Sequence, residues 1–596
     1  METIIRNYNR QCDMLRQELQ QLNRKIHQTG TLRLLTALAG VSLFFVEADR
    51  TLLLAAGGLC LVVFFALMMV HNRLFARRTY CEKRLQLNEN ELKGINYDYS
   101  AFDGAPERIS GEHSYSHDLD LFGDRSLFQS LNRTVTAGGK AVLAQWTTEP
   151  CDRKEDILKR QEAVGELSGQ EELFEHFYTT GKLQPSTSNN RNRLKRLVDE
   201  FKPVSGGHLF SVLMWAIPTG WIALGSCYAY DLVSSVWLSS YTLIALAISL
   251  YTMRMVDRVY NHSDKLNANL TTYASLIAVI EQQNHSSALL RDLQQRLMGE
   301  KGEPTSHLLH TLSKQIKALE QRFSLAGLLL NLFCLRDVRH AQALERWMQH
   351  HRNDILKWTD ALSEYDALLS LGHYAYNHPD YHFPTIDEKY FCYRAKGLGH
   401  PLMNRERCVH NDIHVNNSAQ FLIITGANMA GKSTYLRTVG TNFLLASIGL
   451  PVCAESMEFS PAHLVTSLRT TDSLNDNESY FFAELKRLKM IIDRLKEGEQ
   501  LFIILDEILK GTNSADKQKG SLALVRQLLS YGASGIIATH DLVLGTLADE
   551  LPGKVENFCF EADIHDDELT FSYQMRPGIA QNMNACFLMR KMHITV

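Results

Sequence analysis

The sequence predicts an α/β domain at the C-terminal end of the chain, an all-α lever and core region before it, and two transmembrane helical hairpins set into the helical part. Three observations predict this. From about residue 386, short apolar runs alternate with helical patterns, the texture of a sheet covered by helices. Residues 254–380 keep an almost unbroken helical period, interrupted only near Gly299–Pro304 by GEKGEP. Four apolar stretches stand in two pairs within an otherwise ordinary globular composition.

That composition excludes several classes. With 596 residues, 45% hydrophobic and 21% charged, the chain has room for several domains and is too apolar to be disordered. Its 62 basic and 66 acidic side chains give a net charge of −4, so any nucleic-acid surface must be local. The 11 cysteines are scattered without a CxxC pair, which excludes a disulfide scaffold or zinc ribbon.

Taken in order, residues 1–30 read as an amphipathic helix and 31–72 as the first hairpin. Its arms are Leu34–Val46 and Thr51–Val70, with Glu47, Asp49 and Arg50 between them. The second arm is long enough to cross ~30 Å of hydrocarbon; the first is short and needs a thin or tilted span. A polar helix over 79–95 follows, then a helical core over 98–205 that opens with a Gly/Ser/His/Asp-rich loop. The second hairpin, 206–253, has two uncharged arms, Leu209–Tyr230 and Leu232–Met253, turning at Asp231. Residues 254–385 complete the helical region, and 386–596 form the α/β domain.

Arg73, Arg77, Arg78 and the RNRLKR run Arg191–Arg196 flank the apolar pairs, whereas the short turns hold only Arg50. This bias predicts a multi-pass protein of the cell membrane, in contact with lipid, with both hairpins dipping outward and the remainder cytoplasmic. Burial of the same stretches inside a large soluble core is the alternative. The RNRLKR run reads either as a membrane flank or as a phosphate-binding patch.

The strongest motif is FLIITGANMAGKST, residues 421–434. An apolar strand runs into Gly426-Ala427-Asn428-Met429-Ala430-Gly431-Lys432-Ser433-Thr434, the GxxxxGK[ST] pattern, and a helical period follows. Glycines let backbone N–H groups curl around phosphates, and the helix N-terminus adds its positive end. Lys432 reaches β- and γ-phosphates, and the Ser433 hydroxyl is a ligand for Mg²⁺. A second strand, Leu501–Leu505, ends in Asp506-Glu507, an Mg²⁺ ligand followed by a carboxylate placed to orient or deprotonate water. A third, Gly535–Ala538, ends in Thr539-His540-Asp541. His540 reads as a γ-phosphate contact or, taken alone, as a buried structural histidine. Three strands with polar carboxyl ends favour the first, because a parallel sheet binds ligands at that edge. The α/β domain is therefore predicted to be a P-loop NTPase that binds and hydrolyses ATP with Mg²⁺.

TGANMAGKSTYLRTVG, LDEILKGTNSADKQKGSLAL and ATHDL together resemble the ATPase domain of the MutS mismatch-repair family, within the wider ABC-type class. ASIGLPVCAESMEF resembles the family's IGxxVPAE stretch, and Asp472–Glu484 resembles its signature loop. The likeness extends to residues 124–167 and 358–384, and covers roughly 98–200 and 254–596. It implies a homodimer in which Ser479 approaches the γ-phosphate bound in the opposite subunit, and helical arms that move with the ATP cycle on a ligand that is either DNA or another membrane component.

The departures carry weight too. Family members that read mismatches have an N-terminal domain with a Phe-x-Glu wedge; here Phe45-Val46-Glu47 matches it by letters only, inside an apolar run. The second hairpin lies where the lever helices lead to the DNA-gripping clamp, and Gly299–Pro304 leaves little room for a clamp. Ala427 and Ala430 replace residues that are often Pro and Gly, and Cys408 stands where the family often has an aromatic for adenine. The expectation is a membrane-anchored ATPase whose DNA binding, if any, ignores mismatches. A mismatch-binding repair protein and an ABC-type transporter are the alternatives. The transporter is disfavoured by the lack of an LSGGQ-type signature between Lys432 and Asp506.

Overall fold

The computed structural model describes residues 1–45, 49–183, 199, 207–260, 266–299, 302–416, 419–427, 429–469, 480–510, 512–565 and 568–581. Two long antiparallel helices, α1 (Glu2–Ser42) and α2 (Arg50–Ile95), open it. The polar stretches 1–30 and 79–95 continue the apolar arms and form the ends of these continuous helices. No proline interrupts either one, and isolated glycines cost only ~1 kcal/mol each in a helix, too little to break them. The apolar arm that begins at Leu34 leaves α-helix at Ser42 and passes into a 3₁₀ turn, Leu43–Phe45. Among the described residues, three helices are long and apolar enough to cross a membrane: Arg50–Ile95, Val212–Ala229 and Ser235–Val256. The first arm is not one of them.

The polar base of this hairpin is fastened to the body by buried polar groups. Tyr8 donates to Asn377 Oδ1 (2.9 Å), and Asn377 donates to Glu91 Oε2 (3.0 Å). Glu91 also meets the Arg133 guanidinium at 2.5 Å, with both side chains at most 4% exposed. Burial alone would raise the Glu91 carboxyl pKa, but Arg133 and His373 reverse that and bring it to about 2.

Helices α3 (Leu127–Leu131), α4 (Ala137–Thr148), α5 (Lys154–Ser168) and α6 (Glu171–Leu183) pack around a buried helix, Asp354–Asn377. Asp366 on that helix accepts hydrogen bonds from Val135 N, Thr136 N and Thr136 Oγ1, fixing the entry to α4. Burial pushes its carboxyl pKa up to about 6. The second apolar pair, Gly207–Ala229 and Ser235–Tyr260, turns at Asp231, which takes a positive φ of 56°. Helices Leu266–Glu281 and Thr305–Glu320 pair further on, and a Met298–Pro304 bridge closes the expected break.

The α/β part holds two sheets. Strands β1 (Thr385–Ile386), β2 (Tyr393–Leu398), β3 (Asn411–Val415) and β5 (Ser456–Phe459) form one, ordered β1-β5-β2-β3. Strands β4 (Phe421–Gly426), β6 (His463–Ser467), β7 (Leu501–Asp506), β8 (Ser534–Thr539), β9 (Val555–His565) and β10 (Glu568–Pro577) form the other, ordered β10-β9-β4-β8-β7-β6. All neighbours in it are parallel except β9 and β10. In β4, Phe421 and Ile423 pack into one core and Leu422 and Ile424 into another. The strand is covered on both faces, which is why its sequence is apolar without alternation.

Candidate nucleotide site

The strand order decides the site. β8 lies between β4 and β7, so their carboxyl ends bring the phosphate loop, His540 and Asp506-Glu507 to one edge. The loop itself needs its glycines. Gly426 sits at φ 150°, and a Cβ there would lie 2.4 Å from the Phe560 carbonyl oxygen. Gly431, at φ 110°, caps the helix Lys432–Ser447, whose N-terminus faces the cavity.

The cavity has a volume of about 670 Å³, within the range of small-molecule sites. Ala427, Met429, Gly431, Lys432, Ser433, Thr434, Asp506, Glu507 and His540 line it. Gly426 and Ala430 support it from behind: the Gly426 carbonyl accepts from Lys432, and Ala430 is buried. Asn428 and Ser479 lie outside the described residues, as do Val46, Glu47, the RNRLKR run and residues 472–479 of the signature loop.

Lys432 Nζ donates to the carbonyls of Gly426 (2.6 Å) and Ala427 (3.0 Å) and lies 3.4 Å from His540 Nε2. Burial lowers its pKa, and Asp506 and Glu507 oppose that fall. Ser433 Oγ donates to Asp506 Oδ2 at 2.7 Å. Two hard oxygen donors therefore converge at the cavity wall, a fit for Mg²⁺. His540 Nε2 meets Glu507 Oε1 at 2.9 Å, and Lys510 Nζ lies 3.7 Å from the other carboxylate oxygen. The hydrogen bond from His540 is the main reason the Glu507 pKa falls to about 2; burial opposes it and Lys510 assists. Glu507 also takes a left-handed φ of 55°, with its N–H donated to the Ala538 carbonyl of β8. The turn that aims this carboxylate is braced by Glu484, which accepts from Leu509 N and Lys510 N.

Cys408 lines the cavity, and two aromatic side chains, Phe560 and Tyr573, line it too. β10 shifts register between Phe571 and Met575. Asn411 of β3 holds the irregularity, donating to Tyr573 O (3.0 Å) and accepting from Met575 N (2.7 Å). A bulge resets strand alternation, so no period in the sequence marks Tyr573 as a pocket residue. The polar residues of the loop 96–126 were equally silent. Asp118 accepts from Thr466 Oγ1, Leu468 N and Arg469 N, and Asp120 pairs with Arg437 and Arg469, tying the helical body to the carboxyl end of β6.

Comparison with known proteins agrees with this architecture. The family model for MutS domain V matches residues 422–589, and that for MutS domain III matches residues 112–372. A DNA mismatch repair protein MutS from Thermotoga petrophila is 29% identical over 240 residues, 39% of this chain and 29% of that protein. MutS protein homolog 4 from Homo sapiens is 31% identical over 244 residues, 39% of this chain and 25% of the relative. The counterpart from Mus musculus is 32% identical over the same length. The matched segment thus spans less than a third of these relatives.

Proposed function

This chain belongs to the MutS family, and on that premise we propose that it is a membrane-anchored, dimeric ATPase that couples ATP hydrolysis to movement of its helical arms. The observation that carries the ATPase reading is the convergence of Lys432, Ser433, Asp506, Glu507 and His540 on one cavity at the strand ends. Lys432 would exchange its two loop carbonyls for β- and γ-phosphate oxygens, and Asn428 and Thr434 would complete the loop around them. Mg²⁺ held by Ser433 and Asp506 would neutralise charge between those phosphates. Glu507 orients the attacking water. While His540 is bonded to it, Glu507 is a weak base; once His540 turns to the γ-phosphate, the bond that depresses its pKa is released and its basicity recovers. Tyr573 offers an aromatic face to the base. Ser479 of a second copy would approach the γ-phosphate, as the family resemblance implies.

The membrane part of the proposal is supported by the three long apolar helices and by the basic residues that flank them. It places the protein in the cell membrane as a multi-pass protein with the ATPase domain in the cytoplasm. DNA contact is the coarser inheritance from the family. Among the described residues before 112, the chain forms the α1–α2 hairpin and a loop, and Phe45 sits 85% exposed at the hairpin tip. That exposed aromatic stands at the tip of an apolar hairpin read as entering the membrane, away from DNA, so DNA binding is expected to be electrostatic and indifferent to mismatches. The relatives' printed function favours a second reading, in which mismatched DNA is bound. Titrating homoduplex and a G·T heteroduplex across ~50–200 mM salt separates the two. Equal affinities that weaken with salt support the proposal; a tenfold preference for the heteroduplex, ~1.4 kcal/mol, supports repair.

A further inference from the structure

A third apolar element packs against the second hairpin. Helix Leu325–Cys334, LAGLLLNLFC, carries no charge and begins at Ser324, whose Oγ accepts from Gly327 N. It is ten residues long, ~15 Å, about half of what a membrane span needs. Its neighbours fix how it is approached. Helices Thr305–Glu320 and Arg336–His351 lie side by side, joined by Trp347 Nε1 donating to Leu308 O and by a His340–Gln315 contact. The chain therefore enters and leaves this helix on the same side, through a left-handed turn at Leu335 (φ 44°).

On its inner face the helix is fixed to the hairpin by polar groups that satisfy one another. Asn331, fully buried, donates to Ser249 Oγ at 2.7 Å and accepts from Asp337 N at 3.1 Å. Trp221 donates to Leu332 O (3.3 Å), and its ring lies 4.8 Å from that of Phe333. Pro218 lacks the N–H that would bond the Met214 carbonyl four residues back, and Arg339 donates to that carbonyl instead, at 2.7 Å. Such closure is what a low-dielectric layer requires of backbone and amide groups. Trp221 and Ser249 lie near the middle of their helices, so the contact is deep in the apolar layer.

The outer face is hydrocarbon: Leu325, Leu328, Leu329 and Leu330 are 41–78% exposed. It continues the exposed apolar faces of the hairpin, and Arg322, just before the helix, is 3% exposed and adds no charge to this face. We propose that Leu325–Cys334 is a third membrane element, which enters the hydrocarbon beside the second hairpin without crossing it and contacts lipid acyl chains through its outer face. The inference rests on the membrane reading of the hairpin. It also means that the turn between two lever helices ends in lipid.

The test uses the full chain reconstituted in vesicles of phosphatidylcholine and phosphatidylglycerol. An environment-sensitive fluorescent amino acid replaces Leu329 in one protein and Leu243, an exposed residue of the second hairpin, in another. The proposal expects both probes to be blue-shifted and quenched by doxyl-labelled lipid, and neither by iodide. A Leu243 probe quenched by lipid beside a Leu329 probe quenched by iodide overturns the third element and leaves the hairpin in the membrane. A Leu329 probe shielded from both quenchers points to a protein cover, which also overturns it. If neither probe responds to lipid, the membrane reading fails and takes this inference with it.

Discussion

The nucleotide edge and the apolar end follow opposite rules of exposure. At the nucleotide edge, charged groups are drawn inward: Lys432 is 5% exposed and Glu507 is held between His540 and Lys510. At the apolar end, Trp215, Leu243 and Leu325 are 67–78% exposed, while the polar groups Asn331 and Ser249 are hidden against each other. The first keeps its charges half-satisfied, as the proposed phosphate and metal would require; the second hides Asn331 and Ser249 against each other and turns hydrocarbon outward, as the proposed lipid contact would require.

Substitutions at one end should leave the other intact. The largest effect is expected from Lys432→Ala, which removes the cation at the phosphate loop and should lower ATP affinity by roughly a hundredfold or more. Equilibrium binding of a fluorescent ATP analogue measures it, and recovery of the protein in the membrane pellet should not change. Affinity equal to wild type would refute the assignment of this loop.

Glu91→Gln attacks the fastening of the first hairpin. It leaves Arg133 buried without its counter-charge and should cost about 3 kcal/mol, with nucleotide affinity preserved. The sign of the pH dependence follows from the lowered carboxyl pKa. Glu91 titrates near its ordinary value of 4.5 when unfolded and at about 2 when folded. Its stabilisation is therefore complete above the unfolded value and is lost as pH falls toward the folded one. Thermal melts between these limits should show wild type losing stability with acid faster than Glu91→Gln; parallel slopes would contradict the pair's role.

Two smaller effects sharpen the contrast. Tyr573→Ala should weaken ATP binding by ~1–2 kcal/mol, with a smaller change for a triphosphate that carries no base, if the ring stacks on the base. Equal losses for both ligands would remove it from the base site. Arg339→Leu should cost ~1–2 kcal/mol in detergent melts by stranding the Met214 carbonyl. Adding Pro218→Ala restores the helix N–H and should recover most of that loss; no recovery would break the argument.

The sequence was most legible where a strand ends in function. Phe421–Gly426, Leu501–Asp506 and Ser534–Thr539 each announce a buried strand and its terminal polar group, and their parallel pairing follows from that pattern. Tyr573 was invisible because a bulge and a bond from Asn411, 162 residues away, set its direction. Helix Leu325–Cys334 was absorbed into a long helical period, because ten apolar residues between two amphipathic helices look like core. The left-handed φ of Glu507 is likewise a product of the sheet around it. Local pattern names elements; long-range polar contacts decide which way their side chains face.

The central claim is that this edge hydrolyses ATP, and Glu507→Gln tests it most directly. With full-length protein in vesicles, single-turnover assays with radiolabelled ATP and Mg²⁺ should show the variant retaining ATP at wild-type affinity while its hydrolysis slows by roughly a hundredfold or more. Turnover unchanged from wild type would contradict the account.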